Sequence, residues 1–73
     1  MKEKEFLALI EIHKGILYKV SRMYMDTEVD QEYLRQDIIF QLWKSIDKFK
    51  GDSEFSSWMY RVAINTSITF FKK

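Results

Sequence analysis

Apolar residues recur along this chain at helical spacing in three runs. From Phe6 they fall at positions 6, 9, 10, 13 (a histidine), 16, 17, 20, 23 and 24, which predicts a first helix carrying one inward stripe. Gly15 interrupts that stripe, and the expected reason is close approach of a neighbouring helix. The acidic segment MDTEVDQE then breaks the pattern. Thr27 or Asp30 can accept from free backbone N–H groups, and carboxylates suit the positive end of a helix dipole. A second helix is predicted from about Asp30 to Lys48, with Leu34, Ile38, Leu42 and Ile46 as its stripe and Ile39, Trp43 and Phe49 beside it. Gly51 supplies the free φ of a turn, and Asp52 or Ser53 can cap a third helix. That helix is predicted from about Glu54 to the end, with Phe55, Met59, Val62, Thr66 and Phe70 inward. The fold class is therefore all-α, a compact three-helix bundle formed by a single domain over residues 1–73.

Composition narrows the function classes. With 73 residues the chain sits near the lower limit for folding on its own core. It contains no proline and no cysteine, so its helices run without a built-in kink, and disulfides and thiolate metal sites are excluded. The run FLALIEI is too short and too broken by Glu11 and His13 for a signal peptide or a membrane span. A soluble cytoplasmic domain without membrane insertion is the expectation. The net charge of +1 argues weakly against a free-standing DNA binder, and its distribution says more than the sum. Residues 1–40 hold six Lys/Arg against eight Asp/Glu, a balance of −2; residues 41–73 hold six against three, a balance of +3.

No catalytic constellation is visible, and no cofactor or metal is expected. The lone His13 lies on an apolar stripe with no second ligand at metal spacing. The alternating acids at 26, 28, 30 and 32 lack the glycine and the distal glutamate of a calcium loop. Function is sought instead in what the core leaves over. Gln36, Asp37, Phe40, Gln41 and Lys44 share the face of the second helix opposite its stripe. Phe40, a ring among polar neighbours, is either a protein-interface anchor or a further core residue. On the third helix Trp58, Arg61, Asn65, Ile68 and Lys72 share another face, with Lys48, Phe49, Lys50 and Phe55 near it through the turn. Cations interleaved with aromatics suit single-stranded nucleic acid, and an Asn amide can pair with a base edge. The competing reading is a solvated basic face above core aromatics.

The run DQEYLRQDIIFQLWKSIDKFKGDSEFSSWMYRVAIN resembles region 2 of the extracytoplasmic-function (ECF) sigma factors of bacterial RNA polymerase. The resemblance is carried by Asp30, Glu32, Leu34, Gln36, Trp43, Phe49, Gly51, Ser53, Phe55, Trp58, Tyr60, Arg61, Ala63 and Asn65, with Met59 and Val62 as apolar equivalents. It implies a non-enzymatic transcription initiation factor domain. Gln36 and Asp37, with Phe40, Gln41 and Lys44 alongside, would dock on the β′ clamp helices of core polymerase. The loop from Phe49 to Ser53 and the third helix would melt the promoter −10 element by capturing a flipped base of the non-template strand. Phe49, Asn65 and the backbone near Gly51 and Asp52 map onto that pocket, with Ser53 in the same DNA-binding loop, while Lys48, Lys50, Trp58 and Arg61 would hold backbone or flank it. An anti-sigma factor is a further implied partner. Asp37 stands where the family usually has Glu, and the family's second, helix-turn-helix domain is expected to be absent. The alternatives from other classes are a helical protein-interaction module with no nucleic-acid role and a duplex-reading helix-turn-helix.

Overall fold

The computed structural model describes residues 2–49, 51 and 54–71. The first periodic run is carried by two helices, α1 (Glu3–Ile12) and α2 (Lys14–Tyr24), not by one. His13 is the joint: at φ −107° and ψ 19° it leaves helical geometry, while its N–H still donates to the Leu9 carbonyl at 3.1 Å. Only one residue departs, so the stripe survives the break, with Phe6, Ile10, Leu17 and Val20 all buried. Met23, expected on the stripe, is 58% exposed instead. Gly15 is corrected too: it is exposed, and an added Cβ would meet nothing within 4 Å. No neighbouring helix requires a glycine there, so it lowers helix propensity without a packing gain.

Thr27 caps α3 (Glu28–Ser45), its Oγ1 accepting from the Asp30 N–H at 3.1 Å. Glu28 and Asp30 place negative charge in the first turn, where the helix dipole favours it. The expected stripe is observed in full, with Leu34, Ile38, Leu42 and Ile46 buried; Ile46 begins a 3-10 turn ending at Lys48. Gly51 has φ +77°, the left-handed region that strains every residue with a Cβ. The expected caps Asp52 and Ser53 lie outside the described residues. The last helix, α4, spans Phe55–Phe71. It buries Phe55, Met59 and Thr66 as expected, with Val62 and Phe70 half-buried, and it also buries Ala63 and Ser67. The Ser67 hydroxyl donates to the Ala63 carbonyl at 2.8 Å, so burying it leaves no unpaired donor.

Helices α2, α3 and α4 each pack on the other two, which is the three-helix bundle expected from the sequence. α1 lays Phe6 and Ile10 onto that bundle, with the Phe6 ring 4.9 Å from that of Trp43. Arg35 ties α3 to α2. It donates to Ser21 Oγ at 3.1 Å, and its guanidinium lies 4.4 Å from the centre of the Tyr18 ring. Lys14 donates to Glu11 Oε1 at 2.8 Å, a hydrogen bond that raises the lysine pKa above its ordinary value. That pair stands in open solvent and contributes little to stability.

Candidate functional site

The side chains that the core leaves over fall on two flanks of α3. On the outer flank Gln36, Phe40 and Lys44 are exposed. Phe40 is 59% exposed, which decides between the two readings of its ring: it is not core. Beside it Trp43 (39% exposed), Ile39 and Leu7 of α1 line a groove of about 270 Å³, with Gln36 and Glu3 at its edge. Val29 and Tyr33 carry the same exposed apolar line towards the start of α3. Trp43, Tyr33 and Leu7 were not singled out in the sequence as part of this surface. The signal was the spacing of 29, 33, 36, 40 and 43, a second helical stripe on the side opposite Leu34 and Ile38.

The inner flank turns towards α4. Asp37 and Gln41 are half-buried there and line a cleft of about 390 Å³ between the two helices. The cleft also takes Ser45 from the end of α3 and Val62, Asn65, Thr66, Thr69 and Phe70 from α4. Ser45, Thr66 and Thr69 were not read from the sequence as site residues. The structure thus separates Asp37 and Gln41 from Phe40 and brings them together with Asn65. Asn65 is exposed; its carbonyl accepts from Thr69 Oγ1 at 3.1 Å. Among the described residues no hydrogen bond engages the side chain of Asn65, Asp37 or Gln41. A cleft of this volume lies within the ~300–1,000 Å³ of small-ligand sites. Its two amides, three hydroxyls and one carboxylate offer hydrogen bonds to a flat polar group, with Val62 and Phe70 to cover its faces.

The aromatics near the turn are partly committed to packing. Phe55 is buried, and its ring lies 5.7 Å from His13, 5.7 Å edge-on to Phe49 and 5.5 Å from Trp58. Phe49 and Trp58 are themselves 5.1 Å apart and half-buried, so each presents part of its surface. His13 is a packed histidine, as the sequence indicated. Lys48 and Gly51 are exposed on the turn, and Arg61 is exposed on α4 one turn before Asn65. Lys50, Asp52 and Ser53 lie outside the described residues. Among the described residues no group of acids and histidines is placed to hold a metal ion, and no helix is long and apolar enough to cross a membrane.

The family model for Sigma-70 region 2 matches residues 9–73. The chain is similar to the ECF RNA polymerase sigma factor SigW of Bacillus subtilis, with 26% identity over 68 residues, 93% of this chain and 36% of that protein. It is similar to the RNA polymerase sigma-H factor of Pseudomonas aeruginosa, with 35% identity over 61 residues, 84% of this chain and 31% of that protein. It is also similar to the ECF RNA polymerase sigma-E factor of Escherichia coli K12, with 41% identity over 32 residues, 44% of this chain and 17% of that protein. The chain therefore spans at most 36% of the length of these relatives. No solved structure matches the chain.

Proposed function

Since the chain belongs to the Sigma-70 region 2 family, we propose that it acts in transcription initiation as a region 2 domain that docks on core RNA polymerase and opens the promoter −10 element. The observation that carries this reading is the cleft between α3 and α4, where unengaged amides and a carboxylate face a space of about 390 Å³. A base of the non-template strand, flipped out of the duplex, enters that cleft. Asn65 and Gln41 pair with its polar edge, and Val62 and Phe70 contact its faces. Extrusion costs a few kcal/mol of unstacking, offset by these contacts and by the grip of polymerase on the DNA elsewhere. Lys48, Lys50 and Arg61 hold backbone phosphates, a sequence-independent and salt-sensitive contribution. Phe49, Gly51 and Trp58 flank the captured base, and Asp52 and Ser53 are assigned to the same DNA contact from the sequence resemblance alone.

The outer flank of α3 is the polymerase-facing surface in this reading. Gln36, Phe40 and Lys44 contact the β′ clamp helices, and Asp37 and Gln41 run along the border between the two surfaces. An anti-sigma factor would regulate the domain by covering either flank. The half-burial of Phe49 and Trp58 favours a second reading, a helical module that binds proteins alone, because those rings are already packed.

Titration with single-stranded oligonucleotides, read by tryptophan fluorescence, separates the two. Asn65→Ala is expected to relax base preference by about 1–3 kcal/mol, the worth of one good amide–base pairing. Lys48→Ala is expected to weaken all sequences alike and to reduce the salt slope by about 0.7, one phosphate contact on a single strand. An unchanged base preference in Asn65→Ala removes the cleft from recognition. Absence of any salt-sensitive binding leaves the protein-only reading.

A further inference from the structure

We infer that the Asp37 carboxylate reads the identity of the base in the α3–α4 cleft, admitting a base that turns an amino group towards it and rejecting thymine. This rests on the base-capture reading above and adds the residue that gives it selectivity. Asp37 is the only charged side chain lining the cleft among the described residues. The other polar groups there, the amides of Gln41 and Asn65 and the hydroxyls of Ser45, Thr66 and Thr69, each carry both donor and acceptor capacity, although the Thr69 hydroxyl already gives its proton to the Asn65 carbonyl at 3.1 Å. Such groups can turn to suit any base edge, so by themselves they hold a base without choosing among bases. A carboxylate only accepts, and it therefore discriminates.

The helical register puts Asp37 in that position. Residues 37 and 41 lie one turn apart on the flank of α3 that faces α4, and Asn65 stands on the opposite wall. Asp37 is half-buried, and no hydrogen bond or ion pair engages it among the described residues. A base taken out of the duplex exposes its pairing edge. Adenine and cytosine show an exocyclic amino donor there, and guanine shows an amino group beside a ring N–H. Each can give the carboxylate a charge-assisted hydrogen bond. Thymine shows two carbonyl oxygens around one N–H, so seating it sets acceptor against acceptor where solvent is partly excluded. The same charge repels phosphate, so that the base and not the backbone occupies the cleft.

The test is an NMR titration of the isotope-labelled chain with five single-stranded decamers. Four carry one central adenine, cytosine, guanine or thymine among abasic residues, and the fifth is wholly abasic. The side-chain amide of Asn65 reports entry into the cleft. The three amino-bearing bases are expected to bind about tenfold more tightly than thymine. Asp37→Asn can donate as well as accept. It is expected to bring thymine within about threefold of the others, while binding of the abasic decamer, no longer opposed by the carboxylate charge, rises slightly and sets the baseline against which the four bases are compared. Equal binding of thymine by the unaltered chain, or a preference that persists in Asp37→Asn, overturns the inference. If Asn65 shifts alike with all four bases, base capture stands and only the role of Asp37 falls. If no decamer moves Asn65, base capture itself fails, and this inference with it.

Discussion

Phe40→Ala is expected to weaken binding to a β′ clamp coiled-coil fragment by at least about thirtyfold, the ~2 kcal/mol that marks a hot-spot residue. Phe40 is suited to that role because it is a large ring held 59% exposed on a rigid helix, flanked by Gln36 and Lys44. Its neighbours Trp43, Ile39 and Leu7 build the groove that a partner helix would fill, so the ring loses its remaining water only in a complex. Truncating it removes little from the core, so the melting temperature should stay within a few degrees of the parent. Affinity and stability therefore separate in this variant. Calorimetric titration against the clamp fragment measures the first, and thermal denaturation the second. A loss of less than about threefold would show that the clamp does not use this face.

Phe55→Ala is the variant expected to damage the fold most. Phe55 is 9% exposed and contacts the rings of His13, Phe49 and Trp58, so it joins the α1–α2 junction, the turn and the start of α4. Removing a buried phenylalanine costs about 3–5 kcal/mol, counting the cavity left behind. A chain of 73 residues has roughly 4–11 kcal/mol in total, at 0.05–0.15 kcal/mol per residue. The melting temperature should fall by at least about 12 °C. The near-ultraviolet circular dichroism of Trp58 should collapse with it, and Phe55→Leu should restore part of both. A fall of less than about 4 °C would mean that the ring cluster does not hold the turn in place.

The parts of the fold legible in the sequence are those set by local spacing and backbone chemistry. Leu34, Ile38, Leu42 and Ile46 announce a buried stripe at helical period, Thr27 a cap, and Gly51 a positive φ. The break at His13 was not legible, since a single non-helical residue leaves the apolar period on either side intact. Nor was the burial of Ala63 and Ser67, because small residues carry almost no hydropathy signal although they sit fully inside. Gly15 misled in the other direction: a glycine within a stripe suggests contact, and here it borders open space.

The candidate site was half legible for a related reason. The outer flank of α3 lies on one helix, so the anomaly of Phe40 could be seen from spacing alone. Whether its ring was core or surface depended on where α1 and α2 pack. The cleft draws Asp37, Gln41 and Ser45 from one helix and Asn65, Thr66 and Thr69 from another, and the rotation of α4 against α3 decides that they meet. Asp37 illustrates the difference. In the sequence it belongs with Gln36 and Phe40, and in the folded chain it shares a cleft with Asn65.

Chemical-shift mapping of the labelled chain with both ligands present tests the central claim most directly. A clamp coiled-coil fragment and single-stranded DNA should perturb two separate sets of resonances, Gln36, Phe40 and Lys44 with the first and Asn65, Thr66 and Thr69 with the second. Saturation with one ligand should leave the sites for the other available. Displacement of either ligand by the other, or DNA that leaves Asn65, Thr66 and Thr69 unmoved, would contradict the division of this bundle into a polymerase face and a base-holding cleft.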